Sequence, residues 1–256
     1  MSVSTWFESP FVRAFLVLAA CATLPLGPSL AAADEPKAPK PVRNWSIEIA
    51  PGASIGGPLD DIVSAMESAG FDDDVDDGGG GGGVAYPFKS DDTTAWWGAA
   101  RRRIGDDRWS VGLAAGSTSF GTAYGNRMIE GLTHPDYRLV ASVEMTTFAP
   151  MGWFQGLPGA RLGFGPAMNR VETWFGSQYS GGESDDWKPG LVVEAAVTAP
   201  ARSRFYFLLL LQYRWIQDGS LGPFHETASN GEEVVFPETD INLSHGFVGV
   251  GLGVRF

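Results

Sequence analysis

Acyl transfer and hydrolysis need a nucleophile, a base and an acid that orients the base. Three histidines could serve as the base: His134, His225 and His245. His134 stands in Thr133-His134-Pro135-Asp136 and His225 in Phe224-His225-Glu226, both within polar connecting stretches. His245 follows Ser244 where the last apolar segment begins. No His-x-Ser pair falls on an alternating segment, so the three read as polar loop residues and no catalytic residue is assigned. Metal signals are equally thin. Asp72-Asp73-Asp74-Val75-Asp76-Asp77 could offer oxygens to Ca²⁺, yet the run lacks the spacing and terminal Glu of an EF-hand. With the glycine run 78–83 it reads as a solvated, flexible loop. No Lys-Ser/Thr follows those glycines, as a phosphate-binding loop would require. Neither a metal nor a cofactor is expected.

A second set of charges is placed more regularly. Glu48 sits between Ile47 and Ile49, Glu144 between Val143 and Met145, and Glu194 between Val193 and Ala195. In an extended strand successive side chains point to opposite faces, so each glutamate faces away from its apolar neighbours. Arg101, Arg161, Arg214 and Arg255 fall on comparable segments. What such charges do depends on the elements that carry them.

Eight segments have strand length and apolar or alternating character: 45–55, 94–104, 108–118, 137–149, 160–173, 190–199, 204–217 and 244–256. A tilted strand needs about nine to eleven residues to cross a bilayer. The connections 105–107, 150–159 and 200–203 are short, whereas 55–93, 119–136, 174–189 and 218–243 are long and polar. Strict alternation of short and long joins is the signature of a transmembrane barrel, with short periplasmic turns and long external loops. In the last segment Val248, Val250, Leu252, Val254 and Phe256 share one face, and Gly249, Gly251, Gly253 and Arg255 share the other. In 204–217 the aromatics Phe205, Phe207, Tyr213 and Trp215 flank Leu209 and Leu211, as in paired interfacial girdles.

The ends and the balance of charge agree with export. Arg13 precedes the apolar run 14–18, Pro25 and Pro28 spoil the stretch as a spanning helix, and Ala31-Ala32-Ala33 suits cleavage before Asp34. Residues 1–33 thus read as a signal peptide and 34–43, rich in Pro and charge, as a flexible linker. Leu18-Ala19-Ala20-Cys21 resembles a lipobox, with lipidation of Cys21 as the alternative to an ordinary apolar leader. Cys21 is the only cysteine, so the mature chain has no disulfide or cysteine metal site. A formal charge of −12 disfavours nucleic acid as a partner.

Phe256 at the end of an alternating apolar segment resembles the C-terminal assembly signal of bacterial outer-membrane proteins. With the strand count, residues 44–256 resemble the small eight-stranded barrels typified by the OmpA transmembrane domain and OmpX. The resemblance implies an all-β, closed, antiparallel transmembrane barrel, outer-membrane lipid around it, and assembly by the barrel-assembly machinery of a Gram-negative-type bacterium. It carries over no catalytic residue. In such a barrel the apolar face meets lipid, so Glu48, Glu144, Glu194, Arg101, Arg161, Arg214 and Arg255 are expected to point inward as a structural layer of ion pairs. Arg102 is expected to face lipid near the rim and snorkel. A role in structure or surface interaction is therefore expected, with a narrow channel as one alternative. A second alternative is a lipid-modifying barrel enzyme of the kind represented by PagP and PagL, and a third a soluble, lipocalin-like barrel.

The first long connection holds one helix signal. Pro58 suits a first helical position, Asp60 and Asp61 its positive end, and Gly70 its stop. Leu59, Ile62, Val63 and Met66 make an apolar stripe that needs cover, expected at the barrel mouth or under another loop.

Overall fold

Period-two alternation becomes twelve strands in the computed structural model, which describes residues 44–71, 93–105, 108–127, 137–177, 180–227 and 231–256. The leader, Cys21, the linker, the acidic and glycine runs and His134 lie outside those residues. Eight strands form the ring: β1 (Trp45–Ile55), β2 (Thr94–Ile104), β3 (Trp109–Arg127), β4 (Tyr137–Leu157), β5 (Ala160–Ser177), β6 (Gly181–Ala199), β7 (Phe205–Ile216) and β12 (His245–Arg255). Each pairs antiparallel with its neighbours, and β1 closes the ring by pairing with both β2 and β12. Trp45 and Phe256 exchange two backbone hydrogen bonds of 3.0 Å across the seam between β1 and β12. A closed ring leaves no backbone edge for lipid to meet.

Outside, the barrel is apolar. Ile47, Ile49, Leu113, Leu209, Val250 and Leu252 are all exposed, Leu113 at 68%. Trp45, Trp109 and Phe205 border this belt on the side of the short turns, and Trp96, Phe148 and Trp187 border it on the other. So large a continuous apolar surface is not stable in water, and lipid is its natural solvent. Arg102 faces outward at the rim as expected, its guanidinium 5.7 Å from the Trp45 ring.

The wall is uneven in height. Strands β3, β4, β5 and β6 run 19, 21, 18 and 19 residues, while β1, β2, β7 and β12 run 11 or 12. Sequence alternation stopped these four strands short because it tracks lipid contact. Above Phe148 and Trp187 the outward residues become Glu144, Arg170 and Asp185, yet the antiparallel ladders continue, the β3–β4 one through a shift of register between Ser119 and Thr122. At the other end, the Gly/Pro-rich stretch expected to be a turn from 150 to 159 is strand as far as Leu157. The turn itself is Pro158-Gly159, with Gly159 at φ 86°.

The same change of surroundings corrects one site expectation. Glu144 does not point inward: it is exposed, and its neighbours Val143 and Met145 are the buried pair, at 0% and 1%. Along β4 the odd residues face in throughout, but above the bilayer the outside is water and the inside is an apolar plug. Polarity inverts while the facing parity holds.

That plug fills the mouth behind the tall wall. Helix α1 (Leu59–Ser68) buries Leu59, Ile62 and Met66 against β3, and Gly70 at φ 82° turns the chain so that Phe71 N–H bonds the Met66 carbonyl at 3.0 Å. Two small hairpins join it: β8 (Gly219–Leu221) pairs with β11 (Thr239–Ile241), and β9 (Phe224–Thr227) with β10 (Glu233–Phe236). Phe236, Leu243, Phe120 and Phe175 knit helix, hairpins and wall into one cluster. Burial of each large side chain contributes about 1.5–3 kcal/mol. Asp61 ties the helix down, its Oδ2 accepting the Asn242 N–H at 2.8 Å.

Candidate functional site

Below the plug the interior is a polar shaft, and its first tier lies near the short turns. Glu48 on β1 and Glu194 on β6 are its carboxylates, 3% and 0% exposed. Arg161 on β5 joins them: it donates to Glu48 Oε1 at 2.9 Å and, through Nε, to Glu194 Oε1 at 3.0 Å. Arg101 on β2 adds a 2.7 Å bond to Glu48. In the ring order, β1 and β5 stand four strands apart in either direction, so Arg161 spans the barrel. An eight-stranded barrel is narrow enough for one side chain to do this.

Two aromatic donors complete the tier. The Tyr206 hydroxyl donates to Glu48, and Trp153 Nε1–H donates to Glu194 Oε1 at 3.0 Å. Each ring leans over a glycine directly opposite in the neighbouring strand, Tyr206 over Gly253 and Trp153 over Gly163. A Cβ on Gly253 would lie 2.3 Å from the Tyr206 ring, and one on Gly163 2.4 Å from Trp153. The inward glycines are thus the space that lets two rings reach the carboxylates. Neither aromatic was among the expected site residues. The sequence signal is an inward aromatic facing a glycine, which becomes visible only once strand register is known.

Arg255 stands at the rim, donating from Nη1 to the carbonyls of Ala201 and Ser203 at 2.7 and 3.0 Å and lying 4.0 Å from the Tyr206 ring. Arg214 is higher and separate. It is fully buried, with Thr118 Oγ1 at 3.2 Å and Gln212 Oε1 at 3.2 Å, between Trp97 and Phe247. Gln212 in turn donates to Glu194 Oε2 at 3.1 Å, so one amide links the two levels. Of the seven residues expected to point inward, the structure brings four together as a network. It places Arg255 below, Arg214 above and Glu144 outside.

Among the described residues nothing resembles a nucleophile–base pair or a metal cluster. The Ser244 hydroxyl bonds the Ile216 carbonyl, His245 is buried with Nδ1 on the Leu243 carbonyl at 3.0 Å, and His225 is exposed on β9. No set of three or more His, Cys, Asp or Glu among them is placed to hold a metal. On the outer wall above the bilayer, Arg170 bridges Asp185 and Glu172, each at 2.7 Å. Nearby, a hydrogen bond from Lys188 holds the Asp186 carboxyl below its usual range, helped by the Trp187 N–H.

No protein-family model matches the chain, and no curated relative does. Several solved outer-membrane proteins are similar to it. The Yersinia pestis outer-membrane protein Ail in a phospholipid nanodisc matches at 13% identity and a TM-score of 0.40, over 84% of this chain and 100% of Ail. The outer-membrane protease OmpT of Escherichia coli matches at 10% identity and 0.38, over 83% and 97%. A major outer-membrane protein of Thermus thermophilus matches at 10% and 0.39, over 83% and 99%. The barrel rests on the hydrogen-bonded ring of eight strands itself.

Proposed function

We propose that this chain is a sealed outer-membrane barrel of a Gram-negative-type bacterium whose work is structural or done by its outer surface. The supporting observation is the double closure of the interior: a cross-barrel ion-pair tier below and an apolar plug at the mouth. The upper length of the tall wall carries polar outward residues into the space above the bilayer, where a surface partner would meet them. Outer-membrane lipid surrounds the belt, and insertion by the barrel-assembly machinery fits a closed antiparallel barrel of this kind. No catalytic role is assigned. Planar-bilayer recordings on refolded protein test the reading, together with a lipid A modification assay. The expected result is no conductance and no modified lipid. Steady unit conductance would replace it with the narrow-channel alternative, and altered lipid A with the enzyme alternative.

A further inference from the structure

The enclosed charges do not balance. Among the described residues, the buried ionised groups are Glu48 and Glu194 against Arg101, Arg161, Arg214 and Arg255. Arg101 and Arg161 share the two carboxylates, and Arg255 is served by backbone carbonyls at the rim. Among the described residues Arg214 meets no carboxylate. Its Nη atoms donate only to neutral oxygens, those of Thr118, Thr147 and Gln212. A guanidinium does not lose its proton, so the charge stays, and a buried charge without a counterion is strongly unfavourable.

One edge of the group is also open. Arg214 Nε–H has no hydrogen-bond partner, and neither does Trp97 Nε1–H, on the ring against which the guanidinium lies at 4.7 Å. Both donors are buried, Arg214 at 0% and Trp97 at 2% exposure. Buried donors are nearly always satisfied. His245, opposite Arg214 in the β7–β12 register, turns Nδ1 to a carbonyl and leaves Nε2 without a partner. With its proton on Nδ1 the ring is neutral and offers a lone pair, so it adds no donor.

We infer that Arg214 and Trp97 form an internal binding site for one small inorganic anion of halide size, held at Arg214 Nε–H and Trp97 Nε1–H. The anion supplies the missing countercharge and both missing acceptors at once. Thr118, Thr147 and Gln212 serve the two Nη atoms and leave Nε as the guanidinium nitrogen without a partner, which suits a single small ion rather than an oxyanion needing several donors. The site is enclosed between the ion-pair tier and the plug, so it fills when the barrel folds.

The probe is bromide. The mature chain is refolded from urea into detergent in sodium bromide or in sodium gluconate at matched ionic strength, and thermal unfolding is followed in each. Ligand that binds only the folded state raises its stability with concentration. Tm should climb with the logarithm of bromide and stay flat in gluconate. Trp97→Phe keeps the ring and removes the N–H, and should shift the bromide dependence to about tenfold higher concentration, the worth of one charge-assisted hydrogen bond. Arg214→Met should abolish the dependence, while Arg170→Met on the outer wall should leave it intact. Crystals grown in bromide should show anomalous density beside Arg214 Nε. Identical Tm curves for wild type in the two salts overturn the inference, as does a bromide dependence unchanged by Trp97→Phe. Density at Arg214 without any effect on Tm would mean an adventitious ion only, and overturns it too. These readouts do not involve conductance, so their failure leaves the proposed role of the barrel standing.

Discussion

Arg161 holds Glu48 from the far side of the barrel, across the full width of the ring, with bonds to both of its carboxylate oxygens. A bond of that kind fixes the cross-section as well as closing it, because strands that never touch are tied through one pair. Breaking a buried pair by removing one partner costs about 3–5 kcal/mol.

Arg161→Met should therefore be the most damaging single change in the shaft. It strips Glu48 of a two-pronged partner and Glu194 of the one guanidinium that pairs with it among the described residues. Arg101→Met should cost less, since Arg101 contributes one bond to a carboxylate that keeps Arg161 and Tyr206. Arg102→Met, at the rim, should lie within about 0.5 kcal/mol of wild type. Urea unfolding of refolded protein in detergent gives all three, and an equal loss at Arg101 and Arg161 would contradict the hub role.

Gly253→Ala should destabilise by about 1–3 kcal/mol through overpacking against Tyr206. Tyr206→Leu alone also costs stability, by leaving Glu48 short of a donor. Combined, the two changes should lose less than their sum, because the truncated side chain makes room for the new methyl. A double-mutant cycle measures the coupling, and strict additivity would mean that the ring moves aside freely.

Charge on the outer face should have opposite consequences at two heights of the same barrel. Glu144→Lys lies in water above the bilayer and should change stability by no more than about 0.5 kcal/mol. Leu209→Arg lies in the apolar belt and should cost about 2–4 kcal/mol if near the midplane. Similar effects at both positions would put the bilayer boundary somewhere other than the Phe148–Trp187 level.

Ile62→Asp introduces a carboxylate into the mouth plug, where Ile62 is fully buried. The expected outcome is proteolytic sensitivity of α1 with the barrel still resistant and still non-conducting, because the ion-pair tier below remains intact. Conductance in this variant would show that the plug alone seals the shaft.

Much of this fold is legible in one strand's worth of residues. Val250 and Leu252 facing one way and Gly251 and Gly253 the other already state which side is lipid. Glu48 and Glu194 follow from the same rule because β1 and the lower part of β6 lie in the bilayer. Glu144 escapes it because that rule infers direction from polarity, and polarity is informative only while the outside is lipid. Above Phe148 the strand is solvated outside and plugged inside, so the apolar residue becomes the inward one. Arg161 as a hub, and the aromatics over Gly253 and Gly163, depend on register and on distance across the ring, which a linear pattern does not encode.

The uneven wall divides the chain into positions with different freedom to vary. Ser142, Glu144, Arg170, Glu172 and Asp185 face away from both the plug and the lipid belt. Their identities constrain neither insertion nor packing, so substitutions there accumulate at little cost while the ladders behind them stay fixed. Half of this barrel is in effect a stiff plate on which the outward chemistry can be rewritten, and lineages under pressure at the cell surface would be expected to diverge there first.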